Sequence, residues 1–191
     1  MQFKTKCYIC RLRLFKLFKG YKYILIFFCL ISFRFQQPSN FDTNAKYKAV
    51  FLYNFTRYFE WPDKKKEGNF IIYIVGKNDN LITELKGLAT KKKVGNQDIE
   101  IKTSSVFDPA IISQIIYLLP DASKSVGEVS AKNKKQGTLV VSENIGACKT
   151  GSTINFLAIE NKLKFEYSKN NAVKAGLKTN DEFKSLAINV D

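Results

Sequence analysis

The chain contains no histidine. That omission removes the commonest general base, the commonest metal ligand, and both serine–histidine and cysteine–histidine nucleophilic catalysis. Four cysteines are present. Cys7 and Cys10 form a C-x-x-C, but no second pair and no strand–helix–strand context accompany them, so the spacing reads as coincidence. Cys148, in "NIGACKTG", follows a predicted strand and sits beside Lys149. A reactive thiol wants a lowered pKa, yet without histidine this one reads as buried filler. No G-x-S-x-G, S-x-x-K or Walker phosphate loop occurs, and the 17 acids single out no glycosidase-like pair. The residue inventory argues against an enzyme, and neither cofactor nor metal is expected.

Polar residues set inside apolar patterns carry more information. Asn54 falls in the middle of an aromatic stripe, and Asn155 lies within "TINFLAI". A buried amide is costly unless hydrogen-bonded, so each should tie down backbone or a loop, with a ligand contact as the alternative. Trp61, just before Pro62, reads as a core plug first and a binding platform second. For ligands, the expected place is the crevice beyond the carboxyl ends of parallel strands: Gly76–Asn78, the segment from Pro120, and Ser142–Asn144.

The elements that must position these residues are legible from periodicity. In "KYKAVFLYNFTRYFEWP" (Lys46 to Pro62), Tyr47, Val50, Phe51, Asn54, Phe55, Tyr58 and Phe59 recur at helical spacing, predicting one buried face ended by Pro62. "FIIYIVG" (Phe70 to Gly76) and "QIIYLLP" (Gln114 to Pro120) are near-continuous apolar runs, as in strands covered on both faces. "DIEIKT" (Asp98 to Thr103) alternates, and "GTLVVSE" (Gly137 to Glu143) supplies a fourth strand. Helices are predicted over Asn78 to Leu88, Asp108 to Ile112 and Ser123 to Lys135. "STINFLAIEN" and "KLKFEYS" read as a hairpin turning near Asn161. A last helix is predicted from Thr179, with Glu182 completing a capping box. Together these predict an α/β fold of three layers: a mainly parallel, mixed sheet flanked by helices, ending in a β-hairpin and helix.

Residues 1–35 carry eight Lys or Arg and no acid, around an apolar run from Tyr23 to Phe33. Eleven helical residues span about 17 Å, short of a bilayer core of roughly 30 Å. The pattern predicts a secretory signal peptide over 1–35, a polar, disordered lead-in over 36–44, and a single domain over 45–191. A retained anchor and lipidation at Cys29 are the alternatives, because no A-x-A cleavage site is present. The net charge of +14 shrinks to +6 once the leader is set aside. Lysine clusters at Lys64–Lys66, Lys91–Lys93 and Lys132, Lys134 and Lys135 read as solvated surface, or as a face drawn to anionic lipid heads or an acidic partner. Nucleic acid is disfavoured as a partner, since the sequence has no basic helix, no zinc spacing and no RNA-binding strand motif.

In sequence, "KYKAVFLYNFTRYFEWP", "FIIYIVG", "GTLVVSENIG" and "GSTINFLAIENKLKFEYSKNNAVKAGLK" stand in the order of the YfiR-like proteins, and from Ala45 to Val190 the chain resembles that family. The resemblance implies a non-catalytic periplasmic module that restrains an inner-membrane signalling protein, a diguanylate cyclase or sensor kinase, by binding its periplasmic sensory domain. It also implies self-association. Asn54, Phe55, Trp61, Pro62, Gly151, Asn155 and Phe156 are its signature positions. The family's stabilising, redox-active disulfides do not carry over, since Cys148 alone follows the leader; an intermolecular bridge through Cys148 is the remaining option.

Overall fold

The computed structural model describes residues 43–191, so the predicted leader and the lead-in up to residue 42 lie outside the described residues. Helix α1 (Thr43–Tyr58) opens this part and passes directly into the two-residue strand β1 (Phe59–Glu60). The helix therefore stops before the influence of Pro62, because Phe59 and Glu60 pair with residues near the other end of the domain. β2 (Phe70–Val75), α2 (Asp79–Ala89), β3 (Lys93–Val94), β4 (Gln97–Ser104) and β5 (Ile115–Leu118) follow. Asn78 caps α2 by accepting from the Leu81 amide at 3.0 Å, the orphan-donor problem solved in the expected way.

The stretch predicted as a helix at Asp108 to Ile112 is irregular instead. Asp108 Oδ1 accepts from the Ala110 amide, a local turn that competes with helix. A 3₁₀ turn (Pro120–Ser125) leads into α3 (Val126–Lys132), and then come β6 (Leu139–Ser142), α4 (Ala147–Thr150), β7 (Ile154–Ile159) and β8 (Lys162–Tyr167). The remainder is α5 (Lys169–Ala175), β9 (Lys178–Thr179), α6 (Asp181–Leu186) and β10 (Ile188–Asn189).

The main sheet has the order β10-β8-β7-β6-β5-β2-β4-β3. From β4 through β7 every pair is parallel; β7 and β8 form the antiparallel hairpin, and β3 turns back on β4. β2, the first long strand, lies in the interior with β4 on one side and β5, β6 and β7 on the other, a doubly wound arrangement. Alternation sorts the side chains. Phe70, Ile72 and Ile74 join α1 and α2 in the larger core; Tyr73 and Val75 join Val126 and Val129 of α3 in the smaller one. The three-layer α/β fold read from the sequence is present, with its edge hairpin.

Two expectations change in detail. The buried face of α1 is Ala45, Lys48, Ala49, Leu52 and Phe55, whereas Tyr47 and Val50 are 54% and 42% exposed. The aromatic stripe runs along the flank of the helix, and alanines let its backbone approach the sheet. The final helix starts one residue late: Asn180, not Thr179, is its cap, accepting from the Phe183 amide at 2.9 Å. Thr179 belongs to β9, which pairs with β1.

Candidate functional site

The signature positions separate into three places. Phe55 and Phe156 meet as stacked rings 5.9 Å apart, within an aromatic cluster that fills the space between α1, β7 and β8. Phe183 of α6 stands at its hub, with ring centroids 5.7 Å from Phe55, 5.0 Å from Phe59, 5.5 Å from Phe165 and 5.1 Å from Tyr167. Such edge-on and offset pairs add to the area term. Asn54 lies on the flank of this cluster. Its side chain has no hydrogen-bond partner among the described residues, so the expected backbone tie is not made there. It faces a groove of about 460 Å³ between α1, β8 and α6.

That groove has an aromatic floor of Phe51, Phe55, Phe165 and Phe183, with Tyr58 and Leu163 as walls. Leu186 and Ile188, on its rim, are 56% and 40% exposed. Lys164 is the charged residue lining it. Apolar surface left open beside a filled aromatic core is what a docking partner covers.

Trp61 and Pro62 lie at the amino-terminal end of the parallel strands. The Trp61 ring meets Phe70 edge-on at 5.1 Å, and its Nε1 donates to the Gln114 carbonyl at 3.2 Å. It is a core plug, not a platform. Nearby Lys65, the middle of the first lysine cluster, is buried rather than solvated. Its Nζ donates to the Ser113 carbonyl at 2.6 Å and to Thr138 Oγ1 at 3.3 Å, with no carboxylate partner. Burial, and then the charge of Lys64, pull its pKa down to about 8. Nothing in "DKKKEGN" marks the middle lysine, so sequence reasoning missed it.

Gly151 and Asn155 belong to the opposite side of the sheet from Phe156. Asn155 behaves as the structural reading expects. Its Oδ1 accepts from the Asn144 amide at 2.9 Å and from Ser142 Oγ at 3.0 Å, while Nδ2 donates to Glu166 Oε2 at 2.9 Å. Cys148 lies below this network, buried. Desolvation, followed by the Glu166 and Asp191 carboxylates, pushes its thiol up to about 12, which leaves it protonated and unreactive at neutral pH.

At the strand ends, where a ligand crevice is expected, polar groups of the chain bond to one another, and Lys48 and Glu143 line a recess of about 240 Å³. Asp121 Oδ2 accepts from the Lys77 amide at 3.1 Å. Gly76 has φ +113°, and a Cβ there would lie 2.2 Å from Asp121 Oδ1, so the carboxylate rests directly on the turn at the switch point between β2 and β5. After β6, Glu143 receives Lys48 Nζ at 2.7 and 2.8 Å and the Tyr117 hydroxyl at 2.5 Å. Among the described residues no cluster of three or more Cys, Asp or Glu could hold a metal ion, and no helix is long and apolar enough to cross a membrane.

Fold and groove together define the class: a doubly wound α/β domain with an open apolar groove beside its edge hairpin. The chain belongs to the YfiR/HmsC-like family, whose model matches residues 45–187. No match is found among curated proteins.

Proposed function

We propose that this chain is a non-catalytic periplasmic regulatory binding protein that controls a membrane-bound signalling partner, a diguanylate cyclase or a sensor kinase, by binding the partner's periplasmic domain. Family membership supports the class of activity, and the absence of histidine argues against catalysis. The observation that carries the reading is the groove between α1, β8 and α6, where exposed Leu186 and Ile188 adjoin an aromatic floor to form one contiguous apolar patch. A partner segment seated there would bury those side chains, and Lys164 would favour an acidic flank. Regulation follows as a population shift: docking stabilises one state of the partner, and release frees the other.

Capture from native membranes tests this. The wild-type protein should recover a membrane signalling protein, and the Leu186→Asp/Ile188→Asp variant should recover at least tenfold less while keeping its circular dichroism spectrum. Equal recovery by the two would remove the groove from the interface. Recovery of no membrane signalling protein would remove the function.

A further inference from the structure

A recess on the opposite side of the sheet from the groove has the composition of an anion site. It measures about 290 Å³ and is walled by the end of α3, by α4 and by α5, over β6 and the start of β7. The charged residues lining it are Lys134, Lys149 and Lys174; no carboxylate lines it. None of the three lysines forms an ion pair among the described residues, unlike Lys132, which reaches Glu128 at 3.3 Å, though Lys174 is near enough to the Asp191 carboxylate to help hold its pKa down.

Two hydroxyls at the recess are also without partners. Thr153 is 1% exposed, yet its hydroxyl makes no hydrogen bond among the described residues. The residue is buried, but its hydroxyl opens into the recess, which it lines, and is free to donate there. Ser130 Oγ is likewise unbonded and sits against Gly151. Gly151 has φ +123°, and a Cβ there would fall 2.5 Å from Ser130 Oγ. A side chain at 151 would collide with Ser130, so this corner admits glycine alone. The walls are fixed: the Lys135 amide donates to the Lys174 carbonyl at 2.9 Å, the Gly137 amide to the Ala175 carbonyl at 2.8 Å, and Asn171 Nδ2 to the Cys148 and Ser152 carbonyls at 2.7 and 2.8 Å.

We propose that this recess binds a phosphate group, with Lys134, Lys149 and Lys174 neutralising its charge and the Ser130 and Thr153 hydroxyls donating to its oxygens. Lysine ammonium groups are strong, orientation-tolerant phosphate ligands, and the size suits a small phosphorylated molecule or a lipid headgroup. None of the strand-end residues singled out from the sequence lines it, and its occupancy does not depend on the docking groove.

Calorimetric titration of the purified protein with pyrophosphate at low ionic strength should give saturable, single-site binding. Affinity should fall at least tenfold in Lys149→Gln/Lys174→Gln and in Thr153→Val. The control Lys91→Gln/Lys92→Gln, which removes the same charge elsewhere, should bind as wild type does. Vesicles containing phosphatidylglycerol form a second arm: binding that pyrophosphate displaces assigns the phosphate to a headgroup, and pyrophosphate binding without vesicle binding assigns it to a soluble molecule. No saturable binding in either arm, or an equal loss in the control, overturns the proposal. Because no partner protein is present, failure here leaves the regulatory reading untouched, and the reverse holds too.

Discussion

Lys65 is a cation held in the protein without an anion, and its behaviour with pH follows from that. In the unfolded chain it titrates near the ordinary lysine value of 10.5, in the folded chain near 8. Between those values the unfolded state binds more protons, so stability rises with pH across the window. Below pH 8 the folded protein bears the full cost of charging this group. Lys65→Met removes the effect. Wild type should therefore gain stability relative to Lys65→Met as pH rises from 8 to 10.5, read as the difference between the two urea midpoints. A constant difference would show that Lys65 is solvated. Asn155 makes the opposite case, a buried polar group fully used. Asn155→Leu strands the Asn144 amide and removes the partner of Glu166, while Ser142 keeps Ser152 Oγ, and should cost about 2 kcal/mol in urea unfolding.

Among the elements, the β7–β8 hairpin has a correctable defect. Ile159 pairs with Lys162, leaving a two-residue loop in which Glu160 and Asn161 have φ of 52° and 58°. Both central residues are left-handed, the requirement of a type I′ turn, for which Asn-Gly is the favoured pair. Glu160→Asn/Asn161→Gly should raise stability by roughly 1 kcal/mol, seen as a higher melting temperature with an unchanged spectrum. The hairpin was readable because alternation and a turn residue agreed. The inner parallel strands β2, β5 and β6 were readable because three to six consecutive apolar residues admit few other fates. The orientation of α1 was not: its aromatics and its alanines make two overlapping stripes of similar period, and only the neighbouring sheet decides which faces inward. β1, β9 and β10 have two residues each, too few for any periodicity to register. Of the signature positions, Phe55, Phe156 and Trp61 announced their burial by type. The partnerless state of Asn54 and the burial of Lys65 depend on contacts distant in sequence.

For the whole molecule, the aromatic cluster joins the first described helix to the last, and Phe183 is its keystone. Its side chain is fully buried, and removing it leaves the rings of Phe55, Tyr58, Phe59, Phe165 and Tyr167 around a void. Phe183→Ala should lower stability by about 3–5 kcal/mol and deepen the groove that α6 borders, so loss of partner capture should accompany loss of stability. Separating the two effects needs the rim variants, which leave the cluster intact. Capture that survives Phe183→Ala would place docking elsewhere on the surface.

The short ladder between Phe59–Glu60 and Lys178–Thr179 imposes an order of events on synthesis. A nascent chain presents α1 early, but the rings that meet its aromatics, Phe156, Phe165 and Phe183, all come from the last quarter of the domain. β2 and α2 share a core with the inner face of the helix and arrive soon after it, while its aromatic flank waits for β7 and β8. The aromatic cluster of such a polypeptide closes only when nearly all of it has arrived, so a factor that shields those rings in the interval should raise its yield more than one that speeds the final closure.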